Sequence, residues 1–569
     1  MVAAGCGGSS PTAPQGNDNG IPDGWRLEST AEALTGVCGS SATALDVAGH
    51  FFTLRYDGTN WWAYSTGSNS ILTGMWGASV DNVFATLNDG TILHFDGHHW
   101  GPSKAATQLL SHIWGSSSSD VYAVGNGGTA FHYDGAQWMP IDTGVGWDFG
   151  EIWGLGPDQV YLLQYRARID KTASSCLYYN GTTWKQFTPI SNLGLRAVWG
   201  ESSNRIWMID NIGQLYLGSG SGFSDIYNPR DEPIDFLTGL SNEDLFGWND
   251  VDTIVSVLGS SPGTTPARAI NNMWSAPWDV VYGVGNGGLI VQTSGMGWSV
   301  LRQPRAAYSL QTIFGSSSSN IFALGSKGVH FDGNSWTDVT LPAGANPIDG
   351  TTISDSLAVV VGYGGSIDMW NGQQWTAPDS HTSDAIYGVY AASNTDIFAA
   401  GFRGLILHYD GSNWSTMLPS APVSSFTAID GSGGDDVFAS GYVGKIYHYD
   451  GTSWNEMETP TSNALYDLQV LSSTEAYAVG EAGTFLHYDG SKWTLLDGPT
   501  MNDLIHVWAK DASHVYAMTG KAELFRYDGN SWSDYTRLPG PYMHDLWGSA
   551  DGRLFAAGEA TTVVSVPMR

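Results

Sequence analysis

Hydrophobic residues lie in short runs along the chain, and each run ends in a turn rich in Gly, Asp or Asn. Residues 112–138, HIWGSSSSDVYAVGNGGTAFHYDGAQW, show the pattern in its clearest form. β-Branched and aromatic residues favour strands, whereas Gly-Gly and Asp-Gly favour tight hairpins. The pattern therefore predicts four short strands, A to D, in about 40 residues, with almost no helical periodicity.

This unit is repeated along nearly the whole chain. Its closing phrase, aromatic-Asp-Gly-x-x-Trp, is complete at Asp57, Asp96, Asp134, Asp332, Asp410, Asp450, Asp489 and Asp528, and Asn replaces the Asp at Asn180 and Asn371. Strand A begins near residues 37, 76, 114, 153, 199, 239, 274, 314, 353, 388, 429, 469, 508 and 547, which makes fourteen units. Repeated four-stranded units of this length predict an all-β β-propeller.

The number of units predicts how they are arranged. A propeller closes with about four to eight blades, so fourteen units indicate two seven-bladed rings, residues 24–295 and 296–569, after a flexible segment 1–23. The alternative is one wide ring, which would leave a hollow centre.

The ring ends predict how each ring closes. Residues 24–27 look like a strand D with no blade before it, and residues 298–301 look like a second one. We expect each of these strands to complete the last blade of its own ring, since closure removes exposed sheet edges. In the one-ring alternative, Trp298 completes the unit near 274 and the first strand pairs with the last unit.

Residues 24–569 resemble secreted bacterial β-propellers of the WD-repeat, YVTN and BNR-like group. The phrase WGSSSSDVYAVGNGGTAFHYDGAQW is similar to repeats common in predicted lipoproteins of myxobacteria. The Asp-Gly-x-x-Trp turn is also similar to the Asp-box of sialidases, although its Asp stands four residues before the Trp instead of five. In Asp-box proteins this turn is structural, so the resemblance implies a fold and not an activity.

The first residues indicate export. Small residues precede Cys6, and a Gly, Ser, Pro and Thr spacer follows it, which resembles a bacterial lipobox with its tether. The resemblance implies lipid attachment at Cys6 and a lipoprotein of the outer membrane or cell surface. The charged and apolar regions of a signal peptide are missing from the five residues before Cys6. The alternative is a plain disordered N-terminus.

Charge and composition limit the classes of partner that this chain is expected to bind. The net charge is −32, and only 14% of residues are charged. Nucleic acids and anionic membranes attract clusters of Lys and Arg, which this chain lacks. No apolar run reaches 18 residues, so we expect contact with the membrane only through a lipid at Cys6.

Residues that recur at the same repeat position in most blades are expected to build the scaffold. The repeated Asp fits turn chemistry, the repeated Trp fits packing between blades, and Cys38 and Cys176 are expected to be free and buried. The histidines two residues before the turn Asp are expected to form structural hydrogen bonds: His94, His132, His330, His408, His448 and His487. We expect neither a metal nor a cofactor.

Residues that vary within the constant frame are the candidates for binding. In the second ring the hairpins between strands B and C carry Lys327, Tyr363, Phe402, Arg403, Tyr442, Glu481 and Lys521. In the first ring the corresponding loop of the fourth unit is longer and includes Tyr165, Arg166 and Arg168. Aromatic and charged side chains on a rigid scaffold are typical of interaction sites.

The function that fits best is a non-catalytic surface protein that binds another envelope or extracellular protein. The alternatives are a lectin-like module for polysaccharide and, third, a glycoside-active enzyme. A lectin would repeat an exposed aromatic and polar trio in several blades, whereas an enzyme would place a pair of carboxylates in one channel. No Gly-x-Ser-x-Gly, HExxH or P-loop motif is present.

Overall fold

The structure is a computed structural model that describes most of the chain. The described residues are 25–30, 33–41, 44–165, 175–187, 195–210, 213–219, 222–226, 236–241, 244–249, 253–258, 270–276, 280–294, 297–303, 305–418, 424–539 and 543–568. Within these ranges the regular structure is β-strand and five short 3-10 turns, without an α-helix. No helix in this part of the chain is long and apolar enough to cross a membrane.

Two compact units divide the chain. The first combines Met1–Arg26 with Ala31–Ala306, and the second combines Leu27–Thr30 with Ala307–Arg569. We number the blades 1 to 7 in the first unit and 8 to 14 in the second. Within a blade, successive strands pair antiparallel in the order A, B, C and D.

In the first unit a lone strand, β1 (Trp25–Ser29), precedes the blades. Blade 6 has three strands among the described residues, and the other blades have four. Blade by blade, the strands are β2 (Gly36–Ser41), β3 (Ala44–Ala48), β4 (Phe52–Tyr56) and β5 (Trp61–Ser65); β6 (Leu72–Ser79), β7 (Asn82–Leu87), β8 (Thr91–Phe95) and β9 (Trp100–Ala105); β10 (Leu110–Ser117), β11 (Asp120–Gly125), β12 (Ala130–Tyr133) and β13 (Trp138–Pro140); β14 (Phe149–Gly156), β15 (Gln159–Gln164), β16 (Cys176–Tyr179) and β17 (Trp184–Phe187); β18 (Leu195–Ser202), β19 (Arg205–Asp210), β20 (Leu215–Ser219) and β21 (Gly222–Ile226); β22 (Phe236–Ser241), β23 (Asp244–Asn249) and β24 (Thr253–Leu258); β25 (Ile270–Ala276), β26 (Val280–Gly285), β27 (Ile290–Ser294) and β28 (Gly297–Arg302).

In the second unit six blades have four strands of their own, and blade 14 has three. Its strands are β29 (Leu310–Ser317), β30 (Asn320–Gly325), β31 (Gly328–Phe331) and β32 (Trp336–Val339); β33 (Pro347–Ser354), β34 (Leu357–Gly362), β35 (Ile367–Trp370) and β36 (Trp375–Thr376); β37 (Ile386–Ser393), β38 (Asp396–Gly401), β39 (Ile406–Tyr409) and β40 (Trp414–Leu418); β41 (Phe426–Gly433), β42 (Asp436–Gly441), β43 (Ile446–Tyr449) and β44 (Trp454–Met457); β45 (Leu465–Ser472), β46 (Glu475–Gly480), β47 (Phe485–Tyr488) and β48 (Trp493–Leu496); β49 (Leu504–Asp511), β50 (His514–Thr519), β51 (Glu523–Tyr527) and β52 (Trp532–Arg537); β53 (Met543–Ser549), β54 (Arg553–Gly558) and β55 (Val563–Pro567). The 3-10 turns, all between strands B and C, are Asn126–Gly128, Asn286–Gly288, Tyr363–Gly365, Tyr442–Gly444 and Glu481–Gly483.

Each unit closes into a ring through its strands A. In the first unit β2 packs against β6, and the series continues blade by blade until β25 packs against β2. In the second unit the series runs from β29 to β53, and β53 packs against β29. The fourteen repeats therefore form two seven-bladed rings, and the all-β β-propeller fold predicted from the repeats is confirmed.

The strands that complete the last blade of each ring are not the ones that the sequence predicted. β28, which contains Trp298, pairs with β27 of its own blade and belongs to the first unit. In the second unit Leu27–Ser29 of β1 lie beside β55 and supply the fourth strand of blade 14. A hairpin with the preceding strand closes a short loop at a low cost in entropy. β28 therefore pairs with β27, and the edge of β55 remains open to pair with β1.

The hydrophobic core lies between neighbouring blades. Phe438 of blade 11 contacts Tyr488 and Trp493 of blade 12, with ring centroids 5.4 and 6.2 Å apart. All three side chains are buried. Edge-to-face aromatic contacts of this kind stabilise packed interfaces. The packing role predicted for the repeated Trp is confirmed at these positions.

The repeated Asp and His side chains stabilise the turns and strands of the blades that contain them. Asp134 Oδ1 accepts hydrogen bonds from the backbone N–H groups of Ala136 and Gln137, both at 2.9 Å, and these bonds lower the pKa of its carboxyl. His132 Nε2 lies 2.7 Å from Asp120 Oδ1 at the start of strand B. The same pairing joins His94 to Asn82, His330 to Asn320, His408 to Asp396, His448 to Asp436 and His487 to Glu475. The structural role predicted for both residue types is confirmed.

Candidate binding face of the second propeller

The B–C turns of the second unit lie at the same end of their blades because every blade repeats one topology. They carry the variable residues that the sequence singled out, and all of these side chains are exposed: Lys327, Tyr363, Phe402, Arg403, Tyr442, Glu481 and Lys521. We call this end of the ring the binding face. The structure therefore brings the predicted residues of the second ring to one face.

Aromatic side chains dominate one side of the binding face. On three successive blades, Tyr363 is 60% exposed, Phe402 39% and Tyr442 42%, and Val443 next to Tyr442 is 59% exposed. The ring of Tyr363 packs edge-on against that of Tyr387, with centroids 6.5 Å apart. Large apolar groups exposed side by side are uncommon on a monomer surface and are typical of interaction sites.

Several turns hold non-glycine residues in a conformation that favours glycine. The φ angle is 59° at Arg403, 55° at Val443 and 53° at Ala482, whereas Gly364 fills the matching position of blade 9 with φ 70°. A side chain in this left-handed region costs about 1 kcal/mol or more. Arg403 and Val443 are thus displayed on the face at a cost in local backbone energy.

Charged residues on the face are held by neighbouring groups. The Arg403 guanidinium lies 5.1 Å from the centre of the Phe402 ring and 3.3 Å from Asp384 Oδ1. Lys521 Nζ donates a hydrogen bond of 3.0 Å to Asn502 Oδ1. Glu481 Oε2 accepts a bond of 3.3 Å from the backbone N–H of Ala464. These contacts orient the charges, but surface pairs of this kind add little stability.

A channel of about 550 Å³ runs inward from the face between the strands A of the second unit. Tyr387, Tyr442 and Tyr466 line it near the turns, and Trp508 and Trp547 line it further along their strands. Its volume is in the range of sites that hold small ligands or single side chains. Aromatic walls at the mouth therefore continue the aromatic surface of the face.

Four aspartates also line this channel: Asp349, Asp430, Asp467 and Asp545. Three of them, Asp349, Asp467 and Asp545, form hydrogen bonds in the same pattern, which is given first for Asp349. Its Oδ1 accepts the backbone N–H of Gly350 in its own blade at 2.7 Å, and its Oδ2 accepts that of Val389 in the next blade at 2.9 Å. Burial, reinforced by Asp545, raises the pKa of Asp349 above its usual range.

Asp467 and Asp545 repeat this bridge between adjacent blades. Asp467 accepts the N–H groups of Leu468 and Val507, and Asp545 accepts those of Leu546 and Ile313. Asp430 bonds the N–H of Val470 and the side-chain amide of Gln469. The carboxylates therefore join neighbouring blades around the channel, which is a structural role.

His506 lies between two of these carboxylates. Its Nδ1 is 3.5 Å from Asp467 Oδ2 and 3.3 Å from Asp545 Oδ1. Burial alone would lower the pKa of His506, but the two carboxylates raise it to about 9. The imidazole is therefore protonated at neutral pH and offsets part of the negative charge of the channel.

Sequence reasoning missed these channel residues. Asp349, Asp467, His506 and Asp545 occupy the third position of strand A, where Gly388 and Ala428 stand in other blades. The signal was present as variation at one repeat position. Variation in the turns alone does not reveal it, because these residues lie on the strands A.

The remaining predicted site residues belong to the first 168 positions of the sequence. Tyr165 is 57% exposed, and its backbone N–H donates to the carbonyl of Asp148 at 2.8 Å. Arg166 and Arg168 lie outside the described residues, as does Cys6. Cys38 and Cys176 are buried, and within the described part of the chain they are not joined by a disulfide, as the sequence predicted. Within the described part of the chain, no group of three or more His, Cys, Asp or Glu residues is arranged to hold a metal ion.

Comparison with known proteins finds solved structures that have a similar fold. No family model matches this chain. No curated protein matches it either. A similar solved structure is PorZ, an essential bacterial surface component of the type-IX secretion system of Porphyromonas gingivalis; it has a TM-score of 0.59 at 12% identity and covers 95% of this chain and 86% of its own. At this identity the likeness concerns the fold alone.

Two further solved structures are less similar. The extracellular domain of a putative one-component system, BT4673 from B. thetaiotaomicron, has a TM-score of 0.40 at 12% identity, over 96% of this chain and 83% of its own. YCF48 bound to D1 peptide has a TM-score of 0.40 at 15% identity, over 48% of this chain and 97% of its own.

Proposed function

We propose that this chain is a non-catalytic binding protein of the bacterial cell envelope, and that its second propeller holds a protein partner on the binding face. The observation that supports this most is the row of exposed aromatic side chains on successive blades, Tyr363, Phe402 and Tyr442. Protein interfaces are enriched in Tyr, Phe and Arg at their centres. Arg403 beside Phe402 fits that composition.

A binding role is favoured over catalysis because of how the channel carboxylates are used. Both oxygens of Asp349 accept backbone N–H groups, and Asp467 and Asp545 do the same. A catalytic pair would need one carboxyl free to give a proton and another free to attack or activate water. We therefore propose that the channel is part of the scaffold and that ligands engage its mouth. Lipid attachment at Cys6 remains our expectation for how the protein is held in the envelope.

The test compares the triple variant Tyr363→Ala, Phe402→Ala, Tyr442→Ala with the wild type. A photo-reactive phenylalanine analogue at Phe402 would first cross-link and identify a partner in an envelope extract, and calorimetry with the purified partner would follow. We expect the triple variant to bind at least about 100-fold more weakly, since central aromatic anchors contribute about 2 kcal/mol or more each. Its Tm should match the wild type because these side chains are exposed.

The matched control carries Met139→Ala and Leu495→Ala, which are 43% and 49% exposed on outer strands. This control should bind the partner with wild-type affinity. Equal affinity of the triple variant and the control would overturn the proposal, as would the absence of any cross-linked protein.

A further inference from the structure

Four tyrosines from successive blades lie together at the mouth of the channel in the second unit. Tyr363 and Tyr442 are the first residues of their B–C turns, and Tyr387 and Tyr466 are the second residues of their strands A. Tyr387, Tyr442 and Tyr466 line the cavity of about 550 Å³, and Tyr363 packs edge-on against Tyr387. We call these four residues the tyrosine cluster.

Carboxylates give one side of the tyrosine cluster a negative potential. Burial, reinforced by the carboxylates of Asp503 and Glu481, raises the pKa of Tyr466. Negative charge nearby makes a phenolate anion unfavourable, and it makes a cation favourable at the same place. The two carboxylates therefore favour a positively charged ligand beside Tyr466.

The charge of these two carboxylates is not neutralised within the described part of the chain. Glu481 and Asp503 each accept a hydrogen bond from a backbone N–H group, at 3.3 and 2.8 Å, and neither forms an ion pair with a described basic side chain. Lys521 on the neighbouring turn donates its hydrogen bond to Asn502 instead. A cation from outside the chain would supply the missing positive charge.

We propose that the protein partner inserts one basic side chain, Lys or Arg, into the tyrosine cluster, with its cationic group against the phenol rings and close to Asp503 and Glu481. This inference rests on the proposed function, because it specifies how the partner engages the binding face. The faces of aromatic rings carry negative potential and attract cations, and hydrogen bonds between a cation and a carboxylate are stronger than neutral ones.

The combination of rings, carboxylates and cavity fits Lys and Arg better than other ligands. Both side chains have an apolar stem of methylene groups, which packs against exposed rings while the charged end stays polar. The cavity accommodates one such side chain. An inorganic cation would leave the exposed rings uncovered, an apolar side chain would leave the carboxylates without a cation, and an acidic side chain would be repelled.

The test uses the full chain and pentapeptides of the form acetyl-Gly-Gly-X-Gly-Gly-amide, where X is Arg, Lys, norleucine or Glu. Saturation-transfer NMR would detect binding, and calorimetry would measure Kd. We expect the Arg or the Lys peptide to bind at least 10-fold more tightly than the norleucine peptide, and the Glu peptide not to bind. The tighter of the two basic peptides identifies the preferred side chain.

The double variant Glu481→Gln, Asp503→Asn removes two charges and keeps two side-chain oxygens that can accept the same backbone N–H groups. It should bind the preferred basic peptide at least 10-fold more weakly than the wild type. The matched control, Asp338→Asn, Asp534→Asn, removes two exposed carboxylates at equivalent positions of the outer strands β32 and β52. The control should bind the basic peptide as the wild type does.

The contribution of the rings is tested at Tyr466. Tyr466→Leu removes the aromatic face and should weaken binding of the basic peptide at least 10-fold, whereas Tyr466→Phe keeps the face and should bind within about 3-fold of the wild type. Both variants are compared at a temperature at which circular dichroism shows each one fully folded.

Four results would overturn the inference: no saturable binding of either basic peptide, equal affinity for the norleucine peptide, equal weakening by the outer-strand control, or an unchanged Kd in Tyr466→Leu. The proposed function is tested separately by cross-linking at Phe402. If the partner is cross-linked and lost in the triple variant while the basic peptides do not bind, the binding face stands and this inference fails. If the basic peptides bind but the triple variant keeps its partner, the proposed function fails instead.

Discussion

Aspartate serves two different purposes in this protein, and each depends on which N–H groups bond to its oxygens. Asp134 accepts two N–H groups of its own turn. Asp349 accepts one N–H from each of two blades. Both therefore stabilise the fold.

His506 makes stability depend on pH. Its pKa is raised from 6.5 to about 9 by Asp545 and Asp467, so the protonated form stabilises the folded state. This contribution is fully present below pH 6.5 and is lost as the pH rises through 9. The side chain is 28% exposed to the channel, where water screens the charges, so we expect a contribution of about 1–2 kcal/mol.

The measurement is the free energy of unfolding of the wild type and of His506→Gln, from urea titrations between pH 6 and 9.5. The difference between the two proteins should be largest at pH 6 and should shrink toward pH 9.5. A difference that stays constant over this range would show that His506 contributes by packing and not by charge.

At the scale of elements, β1 is the strand that completes the last blade of the second ring. In the second unit its Leu27 is buried, Thr30 Oγ1 lies 2.9 Å from Thr562 Oγ1, and Glu28 Oε1 accepts a hydrogen bond of 2.6 Å from Ser565 Oγ. Blade 14 has only three strands without it. The first residues of the chain therefore complete the last blade.

Removal of residues 1–30 should destabilise the second propeller by at least about 3 kcal/mol, because a buried Leu and the hydrogen bonds along β55 are lost. Hydrogen exchange measured by mass spectrometry should show lost protection in β55, Val563–Pro567. Removal of residues 1–24 alone keeps β1 and is the control, and β55 should stay protected in it. Equal protection of β55 in both truncated chains would contradict the assigned closure.

At the scale of the whole molecule, the net charge affects the stability of the folded state. The net charge is −32. Like charges at this density repel one another in the compact state, and dissolved salt screens that repulsion. Repulsion among the acidic residues therefore destabilises the folded state of the fourteen blades.

Added NaCl should raise the Tm. Between about 0.01 and 0.15 M ionic strength the screening length falls from about 30 to 8 Å, so most of the gain should occur in this interval. Differential scanning calorimetry is the measurement, with sucrose at equal osmolality as the uncharged control. A Tm that falls over this range would show that favourable ion pairs outweigh the general repulsion.

Much of the candidate site could be found from the repeats. Tyr363, Phe402 and Tyr442 stand out because the frame around them is nearly constant, and a repeated topology places equivalent turns at one end. Asp349 also breaks the repeat, but its significance depends on a neighbouring blade. The backbone N–H of Val389 donates to Asp349 from 40 residues away.

Local sequence is enough to establish the strands, the hairpins and the number of blades. Strand propensity, Asp-Gly turns and glycine pairs act over a few residues, so each blade is encoded within about 40 residues. Ring closure is different, because Thr30 and Thr562 are separated by 532 positions. Which strand pairs with β55 depends on which edge stays open after every short hairpin has formed, and that follows from packing across the whole second ring.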